Sequence, residues 1–155
     1  MDRILINYLH LLGSIIWIGG AIYMHLVLQP SLKSIDPRES GKLQGIIAKR
    51  FSIVAWSSII VLIITGFLKT PSSLLLDTTS NFGVILLIKH VFILLAIIVG
   101  LTIALYVVPN LQKYAPKSGE SPIQEFFRFQ KRLKTLAATN LIFALIILGM
   151  ASMLW

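Results

Sequence analysis

Four long apolar stretches with few charges dominate this chain, and they constrain its fold more than any motif does. They cover about residues 4–29, 51–69, 82–108 and 136–155. Each is long enough to cross a hydrocarbon core of about 30 Å at 1.5 Å per helical residue. In lipid every backbone N–H and C=O must be paired within the protein, which leaves helices or a closed barrel. Uninterrupted apolar runs exclude the in–out alternation of barrel strands. The expected fold is all-α: an integral-membrane four-helix up-down bundle in one domain, residues 1–155. A soluble domain is excluded, because 56% of the 155 residues are hydrophobic and 13% charged, too much apolar surface for one water-borne core.

Proline and charge mark the expected ends: Pro30 after the first stretch, Lys69 and Pro71 after the second, Pro109 after the third. The first stretch is too long for a cleaved signal peptide and carries His10 and His25, so it is read as a span. Eleven of the 14 Lys and Arg residues lie between spans 1 and 2 or between spans 3 and 4, Lys117 among them. Only Arg3, Lys69 and Lys89 lie on the other side. The positive-inside rule then puts both termini outside the cell membrane, N-out and C-out. The net charge of +8 is thereby a matter of topology, and nucleic acid is not an expected partner.

Helices 2 and 4 are expected to begin in the cytoplasm, at about 37–50 and 122–135. Asp36-Pro37-Arg38-Glu39 and Ser121-Pro122-Ile123-Gln124 each read as an N-cap followed by proline at the first helical position. The second extension mixes Phe126, Phe127 and Phe129 with cations, as a segment lying against anionic headgroups would.

No Asp or Glu falls inside a span, which removes carboxylate-pair hydrolysis, a buried acidic proton relay and an oxygen cage for calcium or magnesium. With no cysteine, thiolate sites are out as well. The intramembrane ionisable groups are His10, His25, Lys89 and His90. In an up-down bundle helices 1 and 3 run the same way, so His10 and His90 both lie about 9–12 Å below the outer boundary. His25 lies about 22 Å deeper than His10, too far to share a metal with it.

Two imidazoles facing each other across a bundle are a familiar axial pair for haem iron. Gly13, one turn from His10, would leave room for a ring edge, and Trp17 would pack on the macrocycle. Gly83 and Ile97 flank His90 at seven residues on either side. Arg3, Lys69 or Lys89 would neutralise the propionates. Copper is the competing metal, with His10 and His90 joined by the thioethers of Met150 and Met153.

The stretch His10-Leu-Leu-Gly13-Ser-Ile-Ile-Trp17-Ile-Gly19-Gly20, closed by Pro30, resembles the first helix of the copper resistance D (CopD-like) membrane domain. Arg50-Phe51-Ser52, Thr65-Gly66 and Leu87-Ile88-Lys89 resemble that domain's later pattern. The resemblance implies copper uptake or tolerance in association with an extracytoplasmic copper protein. The His-x6-Trp spacing is also similar to HemJ-type protoporphyrinogen oxidases, membrane proteins associated with haem b. Their third helix carries His-x-Lys-Leu, where this chain has Lys89-His90.

The leading expectation is a small membrane b-type cytochrome. It would hold haem b between His10 and His90 and transfer single electrons near the outer face, with a quinone or an extracytoplasmic redox protein as partner. The alternatives are copper binding or uptake, and a cofactor-free membrane assembly subunit whose basic extensions hold a partner. A second copy of the chain is a further candidate partner. No reaction signature identifies an enzyme.

Overall fold

The computed structural model describes residues 2–71, 74, 77–116 and 120–154, with the backbone alone at positions 37 and 38. Among the described residues four helices are long and apolar enough to cross a membrane. They are α1 (Arg3–Leu32), α2 (Pro37–Lys69), α3 (Asn81–Lys113) and α4 (Gln124–Ser152). No strand occurs among the described residues. Trp155, the expected end of the fourth span, and Lys117, one of the eleven cations, lie outside the described residues. A helix of 33 residues, such as α2, is about 50 Å long, so it overhangs the hydrocarbon core by about 20 Å.

α1 packs along α2 and α3 along α4, forming two antiparallel hairpins. α1 also touches α4, and the last turns of α3 touch α2, which closes the bundle. One end therefore holds the chain termini and the α2–α3 connection. The other holds the α1–α2 and α3–α4 connections.

Pro30 and Pro109 do not stop their helices, contrary to the sequence expectation. α1 continues to Leu32 and α3 to Lys113. A proline inside a helix removes one N–H and clashes with the carbonyl four residues earlier. Both prolines are preceded by one wide π-turn, Met24–Leu28 before Pro30 and Ile103–Val107 before Pro109. Such a turn holds an inserted residue and re-routes the local hydrogen bonds, so the helix axis carries on past the proline. A third π-turn, Ile15–Gly19, contains Trp17.

The start of α4 also differs from expectation. The helix begins at Gln124, its N-cap residue is Ile123, and no side chain caps it. Ser121 and Pro122 precede the helix. Nor do the phenylalanines of this segment all lie outward. Phe126 and Phe129 are buried, Phe126 to 1% exposure, in a cluster with Ala48, Val107, Leu111 and Leu133. Tyr114 stacks on Phe129 with ring centroids 5.7 Å apart. Phe127 alone of the three remains half-exposed. A packed cap drawn from α2, α3 and α4 replaces the expected headgroup-lying strip. Gly41 makes the room: a methyl there would sit 2.6 Å from Phe126 Cζ.

In the α2–α3 connection, the Asp77 carboxylate accepts from the Thr79 amide at 2.8 Å and from the hydroxyls of Thr79 and Ser80. The Ser80 oxygen in turn caps α3 by accepting from the Gly83 amide at 3.1 Å. The Ser80 and Thr79 bonds hold the Asp77 carboxyl down to about 2, from an ordinary 3.8. A lowered carboxyl stabilises the fold fully above its unfolded pKa, and that contribution fades as pH falls from about 4 through about 2. The protection factor of the Gly83 amide is therefore expected to drop over that window. An Asp77→Ala variant is expected to show a lower, pH-independent value, and a flat profile in the unmodified chain would contradict the linkage.

Candidate metal-binding site

His10 stands on α1 where that helix runs against α2. Gly13, one turn further, is buried in this contact, and a methyl on it would lie 3.2 Å from Leu62 Cγ. The close approach brings His10 Nδ1 to 2.7 Å from Thr65 Oγ1. Thr65 is 2% exposed, and its hydroxyl already donates to the Val61 carbonyl at 2.6 Å. With that proton committed, the Thr65 oxygen accepts, and His10 Nδ1–H donates. On α3, His90 Nδ1 lies 2.7 Å from the Leu86 carbonyl one turn earlier. A carbonyl oxygen only accepts, so His90 Nδ1–H donates too.

The two histidines thus share a tautomer. In a neutral imidazole one ring nitrogen donates and the other carries a lone pair. With Nδ1 spent, Nε2 carries the free lone pair in both rings. A metal-binding histidine is commonly set up this way, its other nitrogen held by a carbonyl or hydroxyl partner.

Both rings line one cavity of about 310 Å³ near the terminal end of the bundle. Trp17 from α1, Ile97 from α3 and Leu148 from α4 line it as well, and Lys89 is on the same wall. The Ser14 and Thr70 hydroxyls of the lining donate to their own helices, to His10 O at 2.9 Å and Gly66 O at 3.0 Å. What remains for a guest is two imidazole lone pairs and one ammonium group. Among the described residues no group of three or more His, Cys, Asp or Glu side chains could hold a metal ion.

Of the residues singled out from sequence, His10, His90, Trp17 and Lys89 meet at this cavity, with Ile97. Several others do not. Gly13 serves the α1–α2 contact and leaves no space for a ring edge. Gly83 sits hard against the Asp77 carbonyl. Arg3 is exposed and, like Lys69, is not on the cavity wall. Met150 and Met153 do not reach it either, and Met153 is 69% exposed. α4 instead presents Ile147, Leu148 and Ala151. At about 100° per residue, Met150 lies about 110° and Met153 about 170° round the helix from that stripe. A matching depth does not place a side chain on the matching face.

Thr65 is the residue that sequence reasoning passed over as an orienting group. Its signal was a hydroxyl in an apolar span, near the level of His10. Thr65→Val keeps the shape but removes the acceptor, freeing His10 to rotate or change tautomer. A metal held through His10 is expected to bind about 10–100-fold more weakly in this variant, the usual cost of losing such a partner. Competition with a chelator measures it, and unchanged affinity would remove Thr65 from the site.

Compared with known families, residues 45–154 match the model for copper resistance protein D. The matched segment takes in the membrane-spanning parts of α2, α3 and α4, with Thr65, Lys89 and His90, and leaves His10 on α1 outside it. No curated protein and no solved structure matches the chain. The family match covers more than two thirds of the chain and agrees with four helices fit to span a bilayer. The chain belongs to the copper resistance protein D family and is a multi-pass integral membrane protein.

Proposed function

We propose that this protein binds copper(I) as cargo in the cavity shared by His10 and His90, as a step in copper uptake or tolerance. The observation that carries the reading is the pair of Nδ1–H donors held by Thr65 and by the Leu86 carbonyl, which leaves Nε2 unengaged on two rings that line one cavity. Imidazole is a sound copper ligand, and a two-nitrogen set suits an ion content with few ligands. Magnesium and calcium require six or more oxygens, which this wall lacks.

Lys89 adds selectivity. Repulsion between its ammonium and an incoming ion scales with the ion's charge, so a divalent ion is penalised twice as much as a monovalent one. The absence of carboxylates from the spans acts in the same direction. The excess of Lys and Arg at the connection end supports an orientation with both termini outside, so that this cavity opens toward the extracytoplasmic side. An extracytoplasmic copper protein is the partner this arrangement suits.

A second reading, haem b held by the same two imidazoles, is favoured by one observation: Lys89 shares their wall and would meet a propionate. When bound, haem would supply one-electron chemistry, and the chain's part would be to hold the ligand rings and exclude water.

One preparation separates the readings. Protein purified in detergent from cells supplied with both haem and copper is expected to be colourless and to withdraw copper(I) from a competing chelator. A Soret band that shifts on dithionite reduction would replace the copper reading with the haem reading. Folded protein that takes up neither would overturn both and leave an assembly role.

A further inference from the structure

The outer cavity does not account for the third histidine. His25 lies in the π-turn Met24–Leu28 of α1, in the half of the bundle nearer the connection end. Its Nδ1 faces its own helix at the Ala21 carbonyl, 3.3 Å away, so Nδ1 carries the proton and Nε2 the lone pair. That Nε2 is buried without a hydrogen-bond partner, and so is Oδ1 of Asn140 on α4. An acceptor buried and unpaired has lost its water without gaining a partner, which is unfavourable. Both residues line one further cavity, of about 110 Å³. Two unsatisfied electron-pair donors on one cavity wall call for a guest that accepts electron pairs.

The rest of the lining says which kind of guest. Met24, a thioether residue, lines the same wall, with the amide residues Gln29 and Gln44 and the indole residue Trp56. Among the described residues no Lys, Arg, Asp or Glu is present in the lining. A wall with two unpaired acceptors, a thioether residue and an indole residue, and no formal charge, favours a cation, and the nitrogen–sulfur pair favours a soft one. Trp17 and Ile59 line this cavity and the His10–His90 cavity alike, and both side chains are buried. They form the partition between two chambers set one below the other along the bundle.

We propose that Met24, His25 and Asn140 form a second, inner station for a soft monovalent cation, reached past Trp17 and Ile59 from the His10–His90 cavity. The two stations would hand the cargo along the bundle. This inference rests on the copper reading for its cargo, but its site is independent of the outer pair.

Silver(I), a redox-inert stand-in for copper(I), provides the test. The full chain in detergent is titrated with silver, and the bound ion is counted by elemental analysis after desalting. Two ions per chain are expected, falling to one in His25→Gln and to one in a His10→Ala/His90→Ala variant. Gln at 25 keeps a polar side chain of similar size, and Met24→Leu, a near-isosteric swap, guards against a folding defect. Met24→Leu and Asn140→Leu are each expected to weaken the inner ion by about 10–100-fold while leaving the outer one unchanged. One ion in the unmodified chain, lost in His10→Ala/His90→Ala and untouched by His25→Gln, would overturn the inner station and leave the outer reading intact. One ion lost only in His25→Gln would do the reverse. No bound silver at all would sink both.

Discussion

Replacing His90 with alanine is expected to lower the affinity of the His10–His90 cavity for copper(I) by more than about 100-fold, and His10→Ala is expected to do the same. The lower bound follows from the site's construction. Loss of a residue that merely orients a ligating histidine costs about 10–100-fold, and loss of the ligand itself costs more. With only two imidazoles on the wall, either substitution leaves a single nitrogen, and the Ser14 and Thr70 hydroxyls are already bonded within their helices. The two effects are also expected to be strongly non-additive, since the double variant has little left to lose beyond the first ligand. Anaerobic competition against a copper(I) chelator measures this. Affinity within about threefold of the unmodified chain in either single variant would exclude that ring as a ligand. The contrast with Thr65→Val adds a gradient: the ligand should cost most, its orienting hydroxyl less. Lys89→Met leaves the imidazoles in place and is expected to relax discrimination against divalent ions without abolishing copper(I) binding.

Phe126→Ala is expected to produce the largest loss of stability from one side chain, about 3–5 kcal/mol, by the cavity it leaves. The reason is where this ring sits. Within the bilayer, apolar side chains gain nothing by leaving lipid for protein, so helix contacts there rest on packing and hydrogen bonds. The cap around Phe126 overhangs the hydrocarbon core, where removing apolar surface from water is itself favourable. Its members come from α2, α3 and α4, so it ties both hairpins together at the connection end. Gly41→Leu attacks the same contact from the other side by overfilling it, at a cost of about 1–3 kcal/mol. Combining Gly41→Leu with Phe126→Ala is expected to recover part of the loss, because the leucine then occupies the space the ring vacated. Limited proteolysis at the connection end, with chelator competition at the His10–His90 cavity as a control, measures both. Strictly additive losses in the double variant would show that the two side chains do not share this space.

The reach of sequence reasoning is clearest residue by residue. His10 and His90, placed at one level by counting along the helices, line one cavity, and Trp17 and Lys89 line it with them. Met150 and Met153 satisfy the same depth argument and point elsewhere, because depth along a helix says nothing about its rotation. Pro30 and Pro109 read as stops, yet π-turns ahead of each let the helices continue. Phe126 and Phe129 read as rings for the lipid interface, and only the meeting of three helices shows that they are core.

Hydropathy along the chain determined the number of helices long and apolar enough to cross a membrane, the four-helix class and the short inventory of polar groups within the spans. These are properties of single segments in lipid, where each backbone must satisfy its own hydrogen bonds and each side chain is judged alone. Tertiary structure decided which faces meet, which nitrogen of each histidine is free, and that His25 and Asn140 share a chamber apart from the other two rings. Those outcomes depend on how one helix is turned against its neighbour. That rotation is set by close contacts such as Gly13 on Leu62 and Thr65 on His10, between residues about 50 or more positions apart in the chain.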